Sequence, residues 1–133
     1  MRKLAFVLLP LALLAAGCAD NGSTSTAPST HTVQTFTGTL QPLATDVYPF
    51  STTISGEITV TLTNAGPPDA VSLGVGIGTP NGSACTLIKA QAVQPANIAQ
   101  ITGSADPGSY CVSVYDLGTL TAPVNYTVVV SHF

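Results

Sequence analysis

Beyond residue 30 the apolar positions of the chain recur with a period of two. Gly56-Glu57-Ile58-Thr59-Val60-Thr61-Leu62-Thr63 alternates without a break, with Ile58, Val60 and Leu62 on one face and Glu57, Thr59, Thr61 and Thr63 on the other. Such a stretch reads as an antiparallel strand with one face in a core and one in water. Residues 71–78 repeat the pattern, with Val71, Leu73, Val75 and Ile77 inward and Ser or Gly outward. Tyr110, Val112 and Val114 alternate with Cys111, Ser113 and Tyr115, and Tyr126, Val128 and Val130 alternate with Thr127 and Val129. Weaker β-branched and aromatic runs at 32–40, 47–53, 85–91 and 98–103 bring the expected total to about eight strands. Pro49 must then sit where no ladder donor is needed.

Between these runs lie turn residues: Asn64-Ala65-Gly66-Pro67-Pro68-Asp69, Pro80-Asn81-Gly82, Asp106-Pro107-Gly108 and Leu117-Gly118. No window after Cys18 has an apolar period of 3.6 residues. The fold class expected is all-β, a single antiparallel β-sandwich or jelly roll.

The first residues follow a different pattern. Arg2 and Lys3 precede an apolar run from Leu4 to Leu14, and Ala15, Ala16 and Gly17 are small, as in a secretory signal peptide. The run is too short for a hydrocarbon layer of about 30 Å, which takes roughly 20 residues to cross. Ala15-Ala16-Gly17-Cys18 resembles the lipobox of bacterial lipoproteins, with Ala15 where that family most often has Leu. The resemblance implies cleavage before Cys18 and lipid attachment to its thiol, so that the membrane is held through acyl chains. Two or three chains, at about 0.8 kcal/mol per buried CH₂, make release slow. The alternative is an ordinary signal cut near Ala16 or Ala19. By the sorting rule of Gram-negative lipoproteins, Ala19 in place of Asp implies the outer membrane. Residues 18–30, rich in Ser and Thr with no period, read as a tether with a reach on the order of 20 Å. The organisation expected is a signal peptide at 1–17, a lipidated Cys and tether at 18–30, and one domain at 31–133.

Cleavage would remove two of the three basic residues and leave Lys89 alone against six acids, a net charge of −5. Such a domain offers no basic surface to a phosphate backbone, which excludes nucleic acid as a partner. With Cys18 assigned to lipid, Cys85 and Cys111 are an even pair in an exported chain, and a disulfide is expected. The parity of Cys111 is opposite to that of Val112 and Val114, so the bridge should lie on an outer face or at a sheet edge.

Five segments, in order, are similar to the bacterial pre-peptidase C-terminal domain: Phe36-Thr-Gly-Thr-Leu40, Asp46-Val-Tyr-Pro-Phe50, Gly56-Glu-Ile-Thr-Val-Thr-Leu62, Pro107-Gly-Ser-Tyr-Cys-Val-Ser-Val114 and Tyr126-Thr-Val-Val-Val130. The resemblance covers about 33–130 and implies a jelly-roll accessory domain without catalysis. The chain departs from the family in having no attached peptidase and in carrying the Cys85 and Cys111 pair.

The residues themselves mark no reaction. His31 and His132 sit at the two ends of the domain, and no Gly-x-Ser-x-Gly elbow is present. Asp46, Asp69, Asp106 and Asp116 lie near turns and read as turn caps. Calcium is the competing use for them, but no Asp-x-Asp-x-Asp run supports it, and no cofactor or metal is expected. With no Trp, the candidate ligand contact is Tyr115, the one ring of outward parity. Two functions fit. One is an envelope lipoprotein with a structural or protein-interaction role. The other is an accessory module for peptide or glycan, with a groove near Tyr115 and residues 78–84.

Overall fold

The computed structural model describes residues 29–133; the expected signal peptide, Cys18 and nearly all of the tether lie outside the described residues. Eight strands follow in order: β1 (Thr32–Leu40), β2 (Thr45–Thr52), β3 (Gly56–Gly66), β4 (Leu73–Asn81), β5 (Ala84–Val93), β6 (Ile101–Ala105), β7 (Gly108–Tyr115) and β8 (Val124–His132). They form two four-stranded sheets, β1-β8-β3-β6 and β2-β7-β4-β5. The antiparallel pairs β1–β8, β2–β7, β3–β6 and β4–β5 are the successive rungs of one long hairpin rolled onto itself, which is a jelly roll. Among the described residues there is no helix long and apolar enough to cross a membrane.

The inward positions of the alternating strands make the core. Val60 and Leu62 of β3, Leu73 and Val75 of β4, Val112 and Val114 of β7, and Tyr126, Val128 and Val130 of β8 are all buried. At about 25 cal/mol per Å² of apolar surface removed from water, this shared layer is the main favourable contribution to the fold. Pro49 lies in β2, a sheet edge, where its missing N–H leaves no ladder bond unmade.

Three expectations about the strands need correction. Asn64-Ala65-Gly66 is not a turn but the end of β3, where a bulge between Leu62 and Asn64 shifts the register against β8 and restores the inward face at Ala65. Residues 98–100 are not strand, and Ile98 is exposed. Pro95 has no N–H to donate, and contact with β3 is kept by single bonds, from Ala96 N to the Leu62 carbonyl and from Gln100 N to the Val60 carbonyl. The Gln100 side chain completes that edge, its Oε1 accepting from Leu62 N at 2.7 Å. Val71 lies outside β4 and packs half-buried against the core.

Candidate functional site

The two open sides of the sandwich are built differently. On the β1/β2 side an aromatic and hydroxyl network joins the sheets. Phe36 of β1 stacks on Tyr48 of β2 with ring centroids 4.8 Å apart. Tyr126 of β8 donates from its hydroxyl to Asp46 Oδ2 at 2.7 Å. The Tyr48 hydroxyl lies 2.6 Å from that of Tyr126 and 3.2 Å from the Thr37 carbonyl. Gly38 of β1 is what lets both hydroxyls meet there, since a Cβ would come within 2.6 Å of each. Burial, and then the bonds to Tyr48 and Asp46, push the Tyr126 phenol above its ordinary value of 10.0, because a phenolate there would lose water and face a carboxylate. Asp46 is therefore an acceptor within a strand, not a turn cap.

Asp116 does cap turns. Its Oδ1 accepts from Gly118, Thr119 and Leu120 N, and its Oδ2 accepts from Leu43 N at 2.8 Å. These donors, Leu43 first, hold the carboxyl below its ordinary 3.8. Leu43, at φ 62 and 86% exposed, is thereby fixed beside the loop that carries Leu117. Asp106 accepts from Ser55 Oγ at 3.0 Å, and its carbonyl accepts from the hydroxyls of Thr52 and Tyr110.

On the β5/β6 side no such network closes the sandwich. A cleft of about 110 Å³ opens between the two edge strands, lined by Ile58, Ile77, Ile88, Ile101, Ala105 and Tyr110 among others. Among the described residues, Lys89 Nζ reaches across it to donate to the Thr102 carbonyl at 2.8 Å, and beside it Gln91 Nε2 donates to the Gln100 carbonyl. β5 is exposed on both faces over most of its length, and Ile88 is 71% exposed. Leu87-Ile88-Lys89 does not alternate, which is the sequence signal of a strand with water on both faces. A second cavity, about 160 Å³, lies at the other end of the molecule between Pro67, Pro68 and Val71 and the loop 119–122.

The cysteines are joined: Cys85 of β5 and Cys111 of β7 form a disulfide with Cα atoms 5.9 Å apart, although β4 lies between their strands. The start of β5 reaches β7 by folding over the outer face of β4 at Gly78, where a Cβ would overlap the backbone carbonyl of Thr86. Cys111 faces outward, as its parity requires, yet is fully buried beneath that crossing.

Tyr115 lies across Gly74, where a Cβ would overlap its ring, so the ring lies along the sheet. The structure does not bring Tyr115 together with residues 78–84: Gly74 pairs with Tyr115 at one end of β4, and Asn81 pairs with Ala84 at the other. Neither cavity is lined by Tyr115. His31 stacks on Phe133 at 3.8 Å between centroids, whereas His132 is buried against Phe50, its Nδ1 2.9 Å from the Phe133 carbonyl and its Nε2 without a partner. Among the described residues no group of three or more His, Cys, Asp or Glu is placed to hold a metal ion. No protein-family model and no curated protein matches the chain.

Proposed function

We propose that the chain is an extracytoplasmic lipoprotein, anchored through Cys18, whose non-catalytic sandwich has a structural or protein-interaction role in the cell envelope. The observation that carries this reading is Ala15-Ala16-Gly17-Cys18 at the end of a short apolar run behind Arg2 and Lys3. Two structural features support it. The Cys85–Cys111 disulfide suits an oxidising compartment outside the cytoplasm. β1 begins at Thr32, so a polar tether of about a dozen residues separates the anchor from the first packed strand. In a Gram-negative envelope, Ala19 directs the protein to the outer membrane by the lipoprotein sorting rule.

The test is cell fractionation of the full chain and its Cys18→Ser variant. The wild type is expected in the membrane pellet, labelled by radioactive palmitate, and the variant is expected unlabelled and soluble. A variant that stays in the membrane pellet would overturn the anchor.

A further inference from the structure

We propose that the cleft between β5 and β6 is a binding site for a short aliphatic monocarboxylate, its tail among Ile58, Ile77, Ile88 and Ile101 and its carboxylate at the Lys89 ammonium. The site does not depend on the anchor at Cys18.

The walls of the cleft come from the core. Ile58 of β3, Ile77 of β4 and Ile101 of β6 are buried in the sandwich, yet they line a space of about 110 Å³ that opens at its side, and the exposed Ile88 of β5 completes the lining. Tyr110 also lines it, but its hydroxyl is given to the Asp106 carbonyl. Four of the six isoleucines in the chain therefore meet one apolar space. An apolar cavity of about 150 Å³ takes one benzene, so this smaller one has room for an aliphatic tail of about four carbons.

Charge selects the head group. Lys89 is the only Lys or Arg among the described residues, and no carboxylate pairs with it there; its Nζ meets the Thr102 carbonyl at 2.8 Å on the rim of the cleft. A carbonyl does not neutralise an ammonium, and the remaining N–H donors of Nζ are left for an anion. β6 adds donors of its own. In an antiparallel strand a residue turns its N–H and C=O to the same side, and successive residues alternate. Because the Thr102 carbonyl faces Lys89, the Thr102 and Ser104 N–H groups face the cleft too, and on an edge strand they have no ladder partner. A cationic ligand is repelled by Lys89, a dicarboxylate finds no second Lys or Arg, and a sugar would bury hydroxyls against isoleucine without hydrogen bonds.

Methyl NMR of the full chain, purified as cells process it and labelled at the isoleucine δ-carbons, tests the site. Ile54 and Ile98 are exposed and do not line the cleft, so they serve as internal controls. Pentanoate is expected to shift the methyls of Ile58, Ile77, Ile88 and Ile101 saturably, with a Kd on the order of 1 mM, and to leave those of Ile54 and Ile98 in place. Affinity should rise about fourfold per CH₂ from acetate to pentanoate. Pentanol should bind about tenfold more weakly, for want of a charge-assisted bond, and pentylamine should not bind. Lys89→Met, at an exposed side chain, should bring pentanoate down to the level of pentanol with the thermal melt unchanged. No saturable shift of the four methyls, an equal response to pentanol, full affinity in Lys89→Met, or tighter binding of acetyl-alanylvaline, which presents a peptide C-terminus, would each overturn the proposal.

Discussion

The carboxylate of Asp116 and the phenol of Tyr126 are ordinary residues given particular tasks, and both tasks depend on pH. Asp116 holds two loops with one side chain, and an amide has only one oxygen to do so. Asp116→Asn should keep the Gly118 to Leu120 turn and release Leu43 N, lowering the melting temperature at neutral pH. Because the folded carboxyl is held below 3.8, its stabilisation is complete above that value and is lost as pH falls through the folded value. The melts of the wild type and the variant should therefore converge in acid; a constant gap down to low pH would contradict the assignment. Tyr126 has the opposite sign. Its folded value is raised above 10.0, so stability is constant below that pH and declines as the unfolded chain ionises above it. Tyr126→Phe should cost about 1–3 kcal/mol near neutral pH, by removing the donor to Asp46 and leaving the Tyr48 hydroxyl with the Thr37 carbonyl alone, and should flatten the alkaline decline. Calorimetry from pH 9 to 12 reads both effects.

At the scale of the element, the strand that departs most from simple alternation is β5, and glycine explains how it is accommodated. The outward face of β4 presents Gly74 beneath Tyr115 and Gly78 beneath the crossing backbone of β5. Gly78→Ala should push β5 off that face and separate Cys85 from Cys111, with a loss of about 1–3 kcal/mol and free thiols detectable in the folded protein. Retention of the bridge at wild-type stability would show that the crossing does not need Gly78. These elements also show what could be read from the sequence. The inward faces of β3, β4, β7 and β8 were legible because a half-buried strand must alternate, and Ile58, Leu73, Val112 and Val128 are buried as their parity requires. The burial of Cys111 and Ser113 on the opposite face was not legible. It depends on a strand distant in sequence folding over β4, and no local pattern encodes that cover. The bulge in β3 was hidden for a related reason, since Asn64 and Gly66 have the composition of a turn and pairing with β8 overrides it.

For the whole molecule, the rolled hairpin makes nearly every ladder long-range: β1 pairs with β8 and β2 with β7, so the chain must close large loops before those pairings stabilise it. The Cys85–Cys111 pairing was legible from the cysteine count, but the open cleft was not, since it arises where two edge strands distant in sequence fail to meet. The Cys85–Cys111 bridge joins β5 to a strand that is not its ladder neighbour, across a separation of 26 residues. In the chain-entropy account, such a link lowers the entropy of the unfolded state by an amount worth about 3 kcal/mol. The Cys85→Ser, Cys111→Ser double variant should therefore unfold at lower denaturant, with a free energy reduced by about that much and the same dependence on denaturant if the unfolded chain is equally expanded. The bridge also fastens the start of β5, which is exposed over most of its length, so the variant has a second readout. Hydrogen exchange should quicken at residues 84–88 before it does at 73–77, which β7 holds from the other side. Equal exchange across both segments, with a stability loss below about 1 kcal/mol, would show that the fold over β4 holds β5 without the disulfide.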